Sequence, residues 1–219
     1  RINIMISHLE DGLLSTEEVC HWKSVALFFQ SYWYMELISR FGDVPWVDEI
    51  ITDSSEERFM ARTPRDEVAS NILERLIWAE ENIGSSDKDG DNPVTRDCIR
   101  VLLSRFGLRE GTWRKYHGLG DAEKYLQACI KYSELLMADY PTLYQGVAKN
   151  DKGEPVPGAG YGELWTTRDL AGVPGVIFFK RIVGEVNPHR FSDYEHIAAH
   201  NYEMPQHTVD MYLCEDGKT

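Results

Sequence analysis

With 219 residues, the chain suits one large domain or two small ones and has ample length for a hydrophobic core. A formal net charge of −13 excludes nucleic acid and an anionic membrane surface as natural partners, because both demand clustered Lys and Arg. Six Trp and eleven Tyr are many for a core alone, and surplus aromatics often line sites for flat or ring-shaped ligands.

Residues 1–14 carry Ile2, Ile4, Met5, Ile6, Leu9, Leu13 and Leu14, which predicts a helix packing on the next one. That next stretch, residues 17–46, dominates the chain. Between Val25 and Ile38 eleven of fourteen residues are apolar or aromatic, so the helix should be buried on most sides. Ser15 and Glu18 fit a capping box at its start, while Gly42 is placed as a left-handed cap and Pro45 bars continuation. A membrane span needs about 20 apolar residues in a row, and His21, Lys23 and Glu36 fall too close to allow it. Trp22, Trp33 and Trp78, all on predicted helices, are expected in the core.

A second helix is expected from Thr63 as N-cap, with Pro64 at its first position and Asp66 favouring the positive end of the dipole. Val68, Ile72, Leu76, Ala79 and Ile83 mark its buried face, and Gly84 ends it. In the polar loop GSSDKDGDNP, Asp87, Asp89 and Asp91 fall at positions 1, 3 and 5 of a calcium-loop pattern. Asn92 stands where that pattern needs Gly and Cys98 where it needs Glu, so a solvated acidic turn is the stronger reading.

A third helix, from Thr95 to about Glu110, carries Ile99, Leu102, Leu103 and Phe106 inward. A fourth, from Asp121 to Ala138, places Ala122, Tyr125, Leu126, Cys129, Ile130, Leu136 and Met137 on one face. The intervening GTWRKYHGLG reads as flexible and holds Trp113, Tyr116 and His117. Gly120-Asp121, Ala128 and Asp139-Tyr140-Pro141 echo a tetratricopeptide unit, which supports a helical-hairpin scaffold. Cys20, Cys98, Cys129 and Cys214 lie far apart, and the first three sit on predicted helices as buried free thiols.

Beyond Pro141 the character changes. Residues 146–175 hold seven Gly and three Pro and read as irregular loop, while residues 176–183, VIFFKRIV, are the one strand candidate. His196 and His200 are spaced for a shared metal, but HExxH is not met and no third ligand is evident. No phosphate loop, no GxSxG and no Cys–His context appears, and no pair of acids stands out for glycoside cleavage. No cofactor is expected.

Four segments, in order, then resemble one family. RFGDVPW after the long aromatic helix is similar to the "lyGdvPl" segment of the SusD/RagB family of Bacteroidota outer-membrane lipoproteins. ARTPRDEV leading into NILERLIWAEENIG resembles that family's "R-x-p-x-x-e-v-y" helix. The stretch from Pro93 to Trp113 looks like its "g-r-v-t-k" to "y-x-g-x-w" helix, and MPQHTVDMYLCEDG like its "p-t-x-x-l-v-d-x-y-x-x-x-D-G". Arg75, Ile77 and Trp78, and Cys98-Ile99-Arg100, depart from the family pattern and put the tightness of that helix packing in doubt.

The resemblance implies a mainly α fold, a bundle of tetratricopeptide-like helix pairs over residues 1–145 with a loop-rich part at 146–219 and few short strands. It implies a non-enzymatic, surface-exposed lipoprotein of the outer membrane that binds an oligosaccharide and hands it to a SusC-like TonB-dependent transporter. Its membrane attachment would be a lipid anchor preceding Arg1, and the chain, which lacks an initiator Met and a signal peptide, reads as a fragment or processed piece. Sugar rings stack on Trp and Tyr while polar side chains bond the hydroxyls. Loop aromatics with polar neighbours are therefore the ligand-binding candidates: Tyr161 and Trp165 with Arg168 and Asp169, then Trp113 and Tyr116, then Tyr194 and Tyr202. The same rings could instead pin their own loops to the helices. The central helix is expected to hold the fold without touching the ligand. A tetratricopeptide-type peptide-binding scaffold and an α-helical glycoside hydrolase are the alternatives.

Overall fold

The computed structural model describes residues 1–9, 11–167, 169–181 and 205–212. It is helical: α1 is Ile2–His8, α2 Thr16–Phe41, α3 Arg65–Asn82, α4 Arg96–Tyr116, α5 Ala122–Asp139, α6 Ala159–Thr166 and α7 Gln206–Asp210. Among the described residues, strand pairing is limited to isolated bridges between Val44 and Thr63 and between Lys149 and Pro155. The chain divides into two compact units, Arg1–Phe179 and Lys180–Thr219, the second holding α7. No described helix is long and apolar enough to cross a membrane.

The long helix α2 begins and ends as its caps dictate. Ser15 accepts from the Glu18 backbone N–H while the Glu18 carboxylate accepts from that of Ser15, and Gly42 turns the chain with φ 69°. The Ser15 backbone N–H and Lys88 hold the Glu18 carboxyl below the usual carboxylate range. Inward, Leu27, Phe28, Tyr34, Met35 and Ile38 meet Val68, Ile72 and Leu76 of α3 and Ile99, Leu103 and Phe106 of α4. The apolar circumference is not buried on most sides, however. Phe29, Tyr32, Trp33, Leu37 and Phe41 form an outward stripe, and Trp33, expected in the core, is 57% exposed. Trp22 and Trp78 are only half-buried. The reason is incomplete cover: α1, α3 and α4 pack on α2 and leave this stripe outside, and an all-round apolar pattern cannot say which flank stays uncovered.

Helix α3 starts at Arg65, and its cap is remote. Thr63 is not the N-cap; its hydroxyl accepts from the Trp46 backbone N–H at 3.1 Å, and the Arg65 N–H is satisfied instead by Asp43 at 2.8 Å. The face Val68, Ile72, Leu76, Ala79 and Ile83 is buried throughout, as its period predicts. Arg75 and Arg100, two of the departures from the family pattern, tie elements together rather than loosen them. Arg75 bonds Gln30 of α2 and Asp48, and Arg100 bonds Glu80 of α3 and reaches Asp97 and Asp139.

Helix α4 runs past Glu110 through residues 111–116, so GTWRKY is helical rather than flexible. Gly107 and Gly111 lie where α5 comes closest: a Cβ on Gly107 would stand 2.6 Å from the Tyr125 carbonyl oxygen, and one on Gly111 2.6 Å from Leu126. These glycines permit helix contact instead of breaking the helix. On α5, Tyr125 and Tyr132 are buried, but Ile130 and Met137 of the predicted inner face are outward. Burial pushes the Tyr125 phenol up to about 12.

After Tyr140 the chain is less irregular than expected. Residues 159–166 form α6, and its Glu163 carboxylate accepts from the Tyr144 hydroxyl at 2.8 Å and from the backbone N–H groups of Val147 and Ala148 at 3.0 and 2.8 Å. The Tyr144 hydrogen bond first, then those amides, hold the Glu163 carboxyl below the usual range. The described part of the strand candidate in the larger unit, residues 176–179, is extended but is not part of a strand. It lies as an extended strap, with Phe178 edge-on to Phe28, Asn92 donating to the Phe179 carbonyl, and the Cys98 thiol near the Ile177 carbonyl.

Candidate functional site

The predicted ligand residues fall into separate groups. Tyr161 and Trp165 lie one turn apart on α6, not on a loop, with ring centroids 6.0 Å apart at 62°. They are 64% and 75% exposed. Glu163, between them in sequence, is anchored inward to the 144–148 strap, which fixes the opposite face of the helix and turns both rings outward. Asp169 accepts from the Ala171 N–H at 3.0 Å and so shapes its own turn. Arg168, Tyr194 and Tyr202, like His196 and His200, lie outside the described residues.

Trp113 stands near the end of α4, with the Arg65 guanidinium over its ring at 4.8 Å and the His117 ring stacked on it at 3.8 Å. The residue is 42% exposed, and the Arg65 it meets is the one paired with Glu110. Tyr116 is exposed. In the acidic loop, Asp89 meets His21 Nε2 at 3.0 Å and accepts from the Ser86 N–H at 2.8 Å, so it serves the loop's own closure. Among the described residues no group of three or more His, Cys, Asp or Glu could hold a metal.

A larger feature lies elsewhere. Between α2 and α4 runs a groove of about 930 Å³, bounded on its third side by residues 175–178. Its walls are apolar, from Phe28, Met35, Leu102 and Phe178; its rim carries Tyr32, Glu36, Arg105 and Arg109. The central helix, expected to hold the fold without touching the ligand, lines one side of this groove. The residues involved escape sequence reasoning because Arg105 and Arg109 read as solvated positions until α2 is known to lie beside them. A smaller hollow of about 390 Å³ includes Lys23, Asp48, Glu74, Arg75 and Trp78. There Arg75 already pairs with Asp48 at 2.8 Å, and Lys23 lies over Trp78 at 5.1 Å.

No protein-family model matches the chain. In sequence it is similar to SusD-like protein P2 of Formosa agariphila, 36% identical over 176 residues, which cover 75% of this chain and 34% of that protein. In structure it is similar to a laminarin binding SusD-like protein, with a TM-score of 0.56 at 19% identity over 81% of this chain and 34% of that one. B. fragilis NanU is similar more loosely, with a TM-score of 0.49 at 22% identity over 70% of this chain and 31% of that one. The chain thus spans about a third of the length of these relatives.

Proposed function

We propose that this chain, which is SusD-like in sequence and in fold, binds an oligosaccharide and passes it to a SusC-like TonB-dependent transporter at the outer membrane. The observation that carries the reading is the 36% identity to a SusD-like protein across three-quarters of the chain. The surface chemistry supports it. Tyr161 and Trp165 offer two outward rings on a short helix held by Glu163, the arrangement that sugar C–H faces stack on. We read the chain as a binding protein rather than an enzyme, since stacking and hydroxyl hydrogen bonds require neither a nucleophile nor a metal. A surface-exposed lipoprotein location follows from the same reading.

Calorimetric titration against a panel of neutral and acidic oligosaccharides tests it. At least one should bind, and Trp165→Ala or Tyr161→Ala should weaken that binding by roughly tenfold or more, the magnitude of one lost ring–ring contact of about 1–3 kcal/mol. Binding that survives both substitutions unchanged would move the sugar away from α6. A panel in which nothing binds overturns the reading itself.

A further inference from the structure

The groove between α2 and α4 has a charge balance opposite to that of the chain. Glu36 of α2 accepts from Arg40 at 3.0 Å and faces Arg109 of α4 at 3.5 Å. Arg105, one turn earlier on α4, lines the same rim and makes no ion pair among the described residues. Two guanidiniums and one carboxylate line the groove, and that carboxylate is also paired with Arg40, which leaves a local surplus of positive charge on a chain whose formal charge is −13. Their spacing matters as much as their sign. Positions four apart on a helix share one face with Cβ atoms about 5–6 Å apart, so Arg105 and Arg109 can engage one carboxylate together or two on successive sugar units. Guanidinium is the side chain suited to this, being planar, permanently charged and bidentate. Below the rim, Phe28, Met35 and Phe178 give apolar walls, and the Tyr32 ring gives a stacking face at the mouth.

We propose that this groove binds an oligosaccharide bearing carboxylates, that is, one built from uronate units. The sugar's C–H face lies on Tyr32 and the apolar walls, its carboxylate meets Arg105 and Arg109, and its hydroxyls donate to Glu36. The inference rests on the oligosaccharide-binding reading and narrows it to an acidic class at a site distinct from the α6 rings.

The experiment is calorimetric titration of the protein with tetragalacturonate and tetramannuronate, each paired with its methyl ester, which keeps the sugar and removes the charge. Tetraglutamate serves as a charge-only probe. At least one acidic sugar should bind about tenfold more tightly than its ester, with a preference that shrinks in 0.5 M salt because the rim is open to solvent. Arg105→Gln and Arg109→Gln, both at exposed positions, should each cost roughly tenfold for the acid and leave the ester unchanged. Equal affinity for acid and ester, tetraglutamate binding as tightly as the sugars, or indifference to both arginine variants overturns the proposal. Binding of neutral sugars with both acidic probes ignored overturns it too, while leaving the oligosaccharide reading in place; a protein that binds no sugar at all overturns both.

Discussion

Glu110 is 1% exposed, and no other carboxylate in the described chain is so completely withdrawn from water. It is held by two cations: Arg65 donates to both its oxygens at 2.7 Å, and Arg114 donates through Nε at 2.8 Å. Arg114 in turn reaches Asp66 at 2.8 Å and the Gly120 carbonyl at 3.1 Å, and its guanidinium lies over the Tyr125 ring. One residue therefore joins the start of α3 to the end of α4 and the turn into α5. Removing one partner of a buried pair is far more costly than the pair is stabilising, because the remaining charge stays desolvated. Glu110→Gln should lower stability by about 3–5 kcal/mol, read as a fall in the urea midpoint at unchanged slope. A loss below about 1 kcal/mol would show that the guanidiniums find water instead. Nothing in the sequence pointed to Glu110. Its partner Arg65 lies 45 positions away in the sequence, and the local pattern around Glu110 reads as a helix end.

At the scale of elements, what was legible was whatever local chemistry decides. The capping box at Ser15, the left-handed stop at Gly42 and the buried faces of α3 and α4 all depend on residues within a turn or two. What was not legible depends on a neighbour. Glycine is the clearest case. Gly107 and Gly111 allow α5 to approach, and a Cβ on Gly160 would stand 2.3 Å from the Tyr144 carbonyl oxygen. Read alone, the glycines of α4 and α6 signal loop, which is why both elements were foreseen as shorter or absent. The α6 arrangement has a pH dependence whose sign follows from its hydrogen bonds. A carboxyl whose folded-state pKa is depressed contributes stability that is present above the unfolded value and lost as pH falls through the folded one. The grip of Glu163 on the 144–148 strap should thus persist from neutral pH through the ordinary glutamate value of about 4.3 and fail only below it. The Val147 and Ala148 amide resonances should titrate together with a midpoint under that value, and Glu163→Gln should remove the titration. A midpoint at or above it would mean that the strap is held some other way.

The larger unit, Arg1–Phe179, shows a core against α2 and an aromatic stripe on the helix's exposed face. The sequence carries a strong hydrophobic signal over this helix, and period analysis has no means of telling a helix surrounded by protein from one with a flank left uncovered. The groove belongs to the same lesson, since Glu36, Arg105 and Arg109 become a site only once α2 and α4 are side by side. Trp33 separates the two readings of the helix. With its ring exposed, Trp33→Ser should alter stability by no more than about 0.5 kcal/mol and should reduce the fluorescence of an apolar dye bound to the protein surface. A fall of several degrees in the melting temperature would instead place Trp33 in the core.

The link between α2 and α3 carries one more consequence. Its two ends are fastened to each other: Val44 pairs with Thr63, the Trp46 N–H donates to Thr63, and Asp43 caps the helix that follows. Tyr34 grips Val47, and Asn3 donates to the carbonyls of Val47 and Glu49. Past that point the intervening residues from Ile50 to Arg62 bridge a gap already closed by others. Lengthening a loop whose ends are fixed costs little, because closure entropy grows only with the logarithm of loop length. Residues 50–55 are therefore a natural port in this scaffold, where an inserted tag, a fluorophore or new chain termini would ride outside the helix pairing.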